Sequence, residues 1–234
     1  MQLIRNTLIL FMLLFSISSV CALQSEYIEN RQSGAGVVSS FHYLNGSPKL
    51  VIEPSYSIDG YMDIGVSVDI KWGEDLLDTP SRETDATISL GFSAFKQDQI
   101  MPVSVLLQMG LHYLSEISDE YEDNDIISSG TGFSIGAKIF RYEALIPRLY
   151  IRFGIEANQR LDTIIIDQPS GSSLLPMSTT RNTFTYGVLT GLTLRPNTPN
   201  KGVATSCDIG LYRNSNGEYG VTGSVVFTLV ENQY

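Results

Sequence analysis

Two cysteines in 234 residues, Cys21 and Cys207, are too few for a disulfide framework. Charge is scarce as well: 17% of the residues are charged, against about 25% in an ordinary soluble domain. Histidine occurs twice, at His42 and His112, and no Cys or His spacing matches a metal site, so no metal centre is established. No Gly-rich phosphate loop precedes a helical pattern, and no cofactor is expected. Basic charge is in deficit, with Lys+Arg 15 against Asp+Glu 25 and a formal charge of -10. That sign is opposite to the footprint of a phosphate-backbone binder and excludes nucleic acid as an expected partner. Gly 20 and Pro 9 are too few for a fibrous or low-complexity chain, and 43% apolar residues are enough to fold.

Long apolar runs are missing too. Met1 to Ala22 carries one charge, Arg5, then an apolar run from Leu8 to Phe15, then Ser16-Ile17-Ser18-Ser19-Val20-Cys21-Ala22. The run is well short of the roughly 20 residues that cross a bilayer as a helix. This is the layout of a secretory signal, with cleavage expected after Ala22 and a mature chain of about 212 residues beginning at Leu23. Cys21 leaves with the leader, and its Ser18-Ser19-Val20 lead-in is a poor match to lipoprotein processing. No apolar stretch of 18 residues follows Ala22, so a transmembrane helix is not expected.

What the chain does have is period two. Met62, Ile64, Val66, Val68, Ile70 and Trp72 fall on one face of a stretch whose other face is Asp63, Gly65, Ser67, Asp69 and Lys71. The same alternation runs through Val103, Val105, Leu107, Met109, Leu111 and Tyr113, and through Leu149, Ile151, Phe153 and Ile155. After a polar arm over 23–34, turn residues divide the chain into strands near 35–45, 48–57, 61–72, 85–96, 102–114, 130–142, 148–161, 182–195, 202–213 and 217–230. These ten strands match the ~9 to 11 residues needed to cross a bilayer at a tilt. Connections alternate in length: 58–60, 96–101, 143–147 and 196–201 are short or modest, whereas 73–84, 115–129 and 162–181 are long. The hairpins at 45–47 and 214–217 are the short exceptions on the long side. Short turns at one end and long loops at the other describe a transmembrane barrel with both termini in the periplasm.

Alternation alone does not say which face points inward. The polar phase is rich in glycine, at Gly65, Gly91, Gly110, Gly136, Gly154, Gly187, Gly191, Gly210 and Gly220, where a water-facing wall would carry Lys and Glu. Inside a barrel, glycine leaves room for long side chains crossing the lumen. The apolar phase carries no charge through the middle of the third to fifth and seventh to tenth strands, where Lys or Arg would cost ~2 to 4 kcal/mol in lipid. Tyr56, Tyr61, Trp72, Tyr113 and Tyr219 lie near strand ends on that phase, as an aromatic girdle does, and Cys207 shares it. The expectation is an all-β fold: a closed antiparallel up-and-down transmembrane β-barrel of about ten strands, with about eight to twelve compatible.

With segments such as Tyr56-Ser57-Ile58-Asp59-Gly60-Tyr61-Met62-Asp63-Ile64-Gly65, residues 35–234 resemble the bacterial outer-membrane β-barrel superfamily: small porin-like proteins and the transmembrane domain of outer-membrane protein A. The resemblance implies the cell outer membrane as location, with lipid and lipopolysaccharide around the wall. It also implies a C-terminal aromatic read by the barrel-assembly machinery. Tyr234 is terminal but stands out of register with the apolar set Tyr219, Val221, Val225, Phe227 and Leu229, so the signal is expected to end at Leu229 or to follow another pattern. Outer-membrane hydrolases of similar wall set catalytic Asp/His or Ser/His groups near the rim or on the lipid face. No such constellation occurs here at a recognisable spacing, and no catalytic residue is assigned.

The expected lumen-lining charges are Glu53, Asp63, Asp69, Lys71, Lys138, Arg152, Glu156, Arg160, Asp208 and Glu218, which either lock the barrel shut or line a narrow aqueous path. Glu116, Asp119, Glu120, Glu122, Asp123 and Asp125 crowd one outer loop, a solvated run with a weaker reading as a divalent-cation site. Ile164 to Met177 is expected to extend two strands beyond the membrane as a hairpin. The function expected is a non-enzymatic outer-membrane barrel with a structural or surface role or narrow solute passage. The alternatives are a secreted soluble barrel binding a small apolar ligand, and an outer-membrane hydrolase in which carboxylates converge with His42 or His112.

Overall fold

Residues with alternating polarity extend most readily as strands whose two faces meet different surroundings. In the computed structural model, which describes residues 32–44, 47–74, 80–98, 100–118, 126–166, 177–195 and 201–232, this alternation becomes ten strands. They are β1 (Gln32–Leu44), β2 (Ser47–Ile58), β3 (Met62–Glu74), β4 (Pro80–Phe95), β5 (Ser104–Ser118), β6 (Ile126–Ile146), β7 (Leu149–Ile166), β8 (Met177–Leu194), β9 (Lys201–Asn214) and β10 (Tyr219–Asn232). Each pairs antiparallel with its neighbours in sequence, and β1 pairs with β10 from Gln32↔Asn232 to Leu44↔Gly220, which closes the barrel. Closure leaves no sheet edge unpaired. There is no helix among the described residues.

The strand count and order agree with the sequence reading, but the strands run further at the long-loop end. β5 continues to Ser118, β6 begins at Ile126, β7 reaches Ile166 and β8 begins at Met177, where loops were expected over 115–129 and 162–181. There apolar and polar residues no longer alternate strictly, as in Ile126-Ile127-Ser128-Ser129 and Ile164-Ile165-Ile166, so the pattern ends while pairing continues. Ser81 Oγ and Ser128 Oγ each donate 3.0 Å hydrogen bonds to Glu116, linking β4, β5 and β6 above the apolar band. The expected arm is also shortened: β1 begins at Gln32, and Ser33 Oγ accepts the Asp59 N–H at 3.0 Å. The leader over 1–22, the rest of the arm, Asp119 to Asp125 and Tyr234 lie outside the described residues.

Tight turns set the opposite end. Asp59 and Gly60 both take positive φ, 53° and 67°, and Tyr61 N–H closes on Ile58 O at 3.0 Å, the geometry that matches strand twist. In the Pro147-Arg148 turn, Arg148 takes φ 77°, a conformation that favours glycine. The turn is tied to the start of the next connection: Arg195 N–H donates to Arg148 O at 2.9 Å and Arg148 Nε donates to Arg195 O at 3.1 Å.

The polarity of the wall is inverted relative to a water-soluble protein. Val66 is 48% exposed and its neighbour Ser67 is 3% exposed, and Ile64, Val68, Ile88, Leu111, Phe133, Ile155, Val188, Leu211 and Phe227 all point outward. Tyr56, Tyr61, Trp72, Tyr113 and Tyr219 are outward too, as is Cys207. The inward phase is mostly Ser, Thr, Gly and paired charge. It also holds a few apolar contacts, Val38 with Val226, Leu106 with Phe140, and Ala204 with Val230, toward the tight-turn end.

Candidate functional site

The candidate site is the lumen, because most of the buried charged and polar side chains of the wall converge there. Inward-phase cations are Lys49, Lys71, Lys138, Arg152, Arg160 and Arg181. Inward-phase carboxylates are Glu53, Asp63, Asp69, Glu83, Asp85, Glu116, Glu156, Asp162 and Asp208. Carboxylates outnumber cations, so the lumen has a negative formal balance.

Most of these charges are joined into two groups. Toward the long-loop end, Lys49 Nζ lies 2.5 Å from Asp69 Oδ2, and Arg160 joins Asp85 and, at 2.9 Å, Asp162. Arg181 reaches Asp162 at 3.3 Å and Glu83 at 3.4 Å, while Lys71 stands 4.0 Å from Glu83. This group ties strands β2, β3, β4, β7 and β8 across the interior. Nearer the tight turns, Arg152 Nη2 meets Asp208 Oδ2 at 2.6 Å, and Lys138 stands 4.0 Å from Glu156. Fully buried pairs of this kind repay their desolvation only when well bonded, so their effect is to hold one arrangement.

Glycine makes the crossings possible. Arg152, Gly191 and Asp208 occupy one row of β7, β8 and β9, and a Cβ on Gly191 would run into Asp208 Oδ1. Likewise a Cβ on Gly65 would come within 2.6 Å of Ser89 Oγ and 2.8 Å of Glu53 Oε1, the two atoms that hydrogen-bond across β3 at 3.2 Å. The Tyr212 ring occupies the space that a side chain at Gly220 would need.

Below the ion pairs, aromatic rings and arginines pack together toward the tight-turn end. Phe140 and Tyr142 meet edge to face at 5.7 Å, Arg152 lies 5.8 Å from the Phe140 ring, and Arg195 lies 4.4 Å from the Tyr150 ring. The Gln97 amide bonds both backbone groups of Tyr142, at 2.7 and 2.9 Å. Between this packing and the upper ion pairs lies a chamber of about 90 Å³ bordered by Glu53, Ser67, Asp69, Gln108, Asn158 and Arg160, among others.

Of the ten charges expected in the lumen, Glu53, Asp63, Asp69, Lys138, Arg152 and Asp208 are buried, and Lys71, Glu156 and Arg160 are half-buried on the same phase. Glu218 instead sits in the β9–β10 turn, where its carboxylate accepts Asn214 Nδ2 at 2.5 Å. Glu116 stands in strand β5, and its five acidic companions lie outside the described residues. No group of three His, Cys, Asp or Glu positioned to hold a metal occurs among the described residues. Lys49, Glu83, Asp85, Asp162 and Arg181 were not singled out from the sequence. They lie in stretches where alternation fades, and strand register alone brings them to the same level.

His112 has a more telling setting than its spacing suggested. Its Nε2 is 2.7 Å from Ser134 Oγ, and its Nδ1 is 2.8 Å from Thr87 Oγ1 but 3.7 Å from Asp85 Oδ1. Serine, histidine and aspartate thus converge, yet a threonine hydroxyl takes the hydrogen-bonding position beside the imidazole that a catalytic carboxylate occupies. Asp85 turns Oδ2 to Arg160, and its Oδ1 accepts the Thr87 hydroxyl at 3.4 Å. His42 packs edge-on to Tyr212 at 6.2 Å, away from this group.

No family model and no curated protein matches the sequence. Among solved structures, the chain is similar to the β domain of the Bordetella autotransporter BrkA, at 9% identity and TM-score 0.47 over 86% of this chain and 99% of that one. It is similar to the translocator domain of the autotransporter NalP from Neisseria meningitidis, at 12% identity and TM-score 0.44 over 89% and 92%. It is also similar to Neisserial surface protein A, at 14% identity and TM-score 0.35 over 84% and 94%. The solved structures that this chain resembles are outer-membrane β-barrels.

Proposed function

We propose that the chain is a non-enzymatic barrel of the outer membrane, with a structural role at the cell surface and a lumen that admits only narrow passage of small solutes. The observation that carries this reading is the inverted wall: an apolar exterior, exemplified by Val66, around an interior of bonded charge and hydroxyl groups, exemplified by Ser67. Water-soluble monomers rarely expose contiguous apolar patches larger than a few hundred Å², whereas lipid demands them. On this reading phospholipid and lipopolysaccharide surround the wall, the leader directs export, and the barrel-assembly machinery inserts the chain. The hydroxyl bond at His112 Nδ1 supports a structural histidine rather than a catalytic one.

The test is to refold the protein in detergent, compare gel mobility before and after heating, and then record conductance in a planar bilayer. Heat-modifiable mobility with small steady conductance is the expected result for narrow passage. A folded but silent barrel assigns the role to structure and surface. Protein that stays folded and monodisperse without detergent overturns the membrane reading and returns the soluble-binder alternative.

A further inference from the structure

Three carboxylate or amide oxygens in the lumen are buried without a hydrogen-bond donor among the described residues: Asp69 Oδ1, Gln108 Oε1 and Asn158 Oδ1. All three residues border the 90 Å³ chamber. Asp69 and Gln108 are each 7% exposed. A buried acceptor left unmatched forfeits its hydration without recompense, so the chamber favours an occupant that offers positive charge or donors. The single donor on its wall in the same condition is Arg160 Nη2, against three acceptors.

Charge decides between occupants. The two cations on the wall are already engaged, Lys49 by Asp69 Oδ2 and Arg160 by Asp85 and Asp162. The wider lumen carries more carboxylates than cations. An anion would therefore find no unspent positive charge. A divalent ion would require several carboxylates and six or more oxygens, whereas the chamber's two carboxylates are already engaged, Asp69 by Lys49 and Glu53 by Ser89. A volume of about 90 Å³ is room for about three water-sized species.

We infer that this chamber is a binding site for a small monovalent cation of the sodium class, partly stripped of water and held by Asp69, Gln108 and Asn158. The site rests on the membrane-barrel reading and deepens it: the species admitted to the lumen is a small cation. Gly136 is part of its construction. It pairs with Gln108 on one side and Asn158 on the other, and a Cβ there would come within 2.9 Å of the Gln108 amide and 3.0 Å of Asn158 Oδ1.

The experiment uses the full folded barrel in detergent and follows the temperature at which its gel mobility shifts, in sodium chloride and in choline chloride of equal ionic strength. A site specific for the small ion raises the midpoint in sodium and not in the bulkier choline. At sodium ten times above the dissociation constant, linkage gives a roughly tenfold gain in the folded-to-unfolded ratio. Gln108→Leu and Asn158→Leu are each expected to abolish the difference between the sodium and choline midpoints. Equal midpoints for the unmodified barrel in the two salts overturn the cation site and leave the barrel intact. An unchanged sodium increment in both variants overturns the ligand assignment. Failure to form a heat-modifiable species in either salt overturns the membrane reading itself.

Discussion

Arg152 on β7 and Asp208 on β9 form a 2.6 Å ion pair that passes directly over Gly191 of the intervening strand. Both side chains are 3% exposed, so neither charge has bulk water to fall back on. Removing one partner of a buried pair costs about 3 to 5 kcal/mol, because the other charge remains. Asp208→Asn and Arg152→Met are each expected to lower the unfolding free energy of the refolded barrel by that order, read as a fall in its urea midpoint. The double variant Arg152→Met/Asp208→Leu should recover much of the loss. Gly191→Ala should resemble the single variants, since its methyl group displaces the carboxylate. Unfolding curves that leave all four midpoints unchanged would show that the pair does not brace the wall.

The two faces of β3 make a second contrast. Val66→Arg places a guanidinium in the apolar band, at a cost of ~2 to 4 kcal/mol near mid-bilayer, and Phe153→Arg repeats it on β7. Both should reduce the heat-modifiable fraction on refolding into lipid vesicles. Ser67→Arg points into the chamber and should fold, with its effect on conductance. Equal folding yields for Val66→Arg and Ser67→Arg would overturn the assignment of faces.

Asp98 lies in the β4–β5 connection, outside the spanning strands. Its carboxylate accepts the Met101 and Ile100 N–H groups, both at 2.7 Å, and these bonds hold its pKa below the ordinary carboxylate value. A pKa depressed on folding contributes stability that is complete above the unfolded value and lost as pH falls through the folded one. Amide exchange at Ile100 and Met101, corrected for intrinsic pH dependence, should therefore accelerate as acid protonates Asp98. Asp98→Asn should flatten that profile; a variant that retains the full acid response would assign it to another group.

Ser134 and His112 make a test of chemistry. Because Thr87 rather than Asp85 bonds His112 Nδ1, Ser134 is expected to resist fluorophosphonate labelling in the folded barrel at neutral pH. Mass spectrometry of the treated protein reads the outcome directly. Stoichiometric labelling at Ser134 that His112→Gln abolishes would establish an activated nucleophile and the hydrolase alternative.

The wall was legible in the chain because an apolar exterior and a polar lumen lie on opposite faces of the strands, which imposes period two within single segments such as Met62 to Trp72. Legibility failed where that contrast ends. At their long-loop ends β5 and β6 lose strict alternation, so Glu116 read as part of a loop although strand pairing holds it between Ser81 and Ser128.

By itself, the sequence determined the number and order of strands, the alternation of short and long connections, and which side chains share a face. These are local properties, set by side-chain period and turn chemistry. Only the tertiary structure decided which charges meet: Arg160 with Asp85, Arg181 with Glu83, and His112 with Ser134. Arg160 and Asp85 are contributed by non-adjacent strands, and their meeting depends on how far each strand is staggered around the closed barrel. That stagger is a property of closure, set jointly by all ten pairings, and no single segment encodes it.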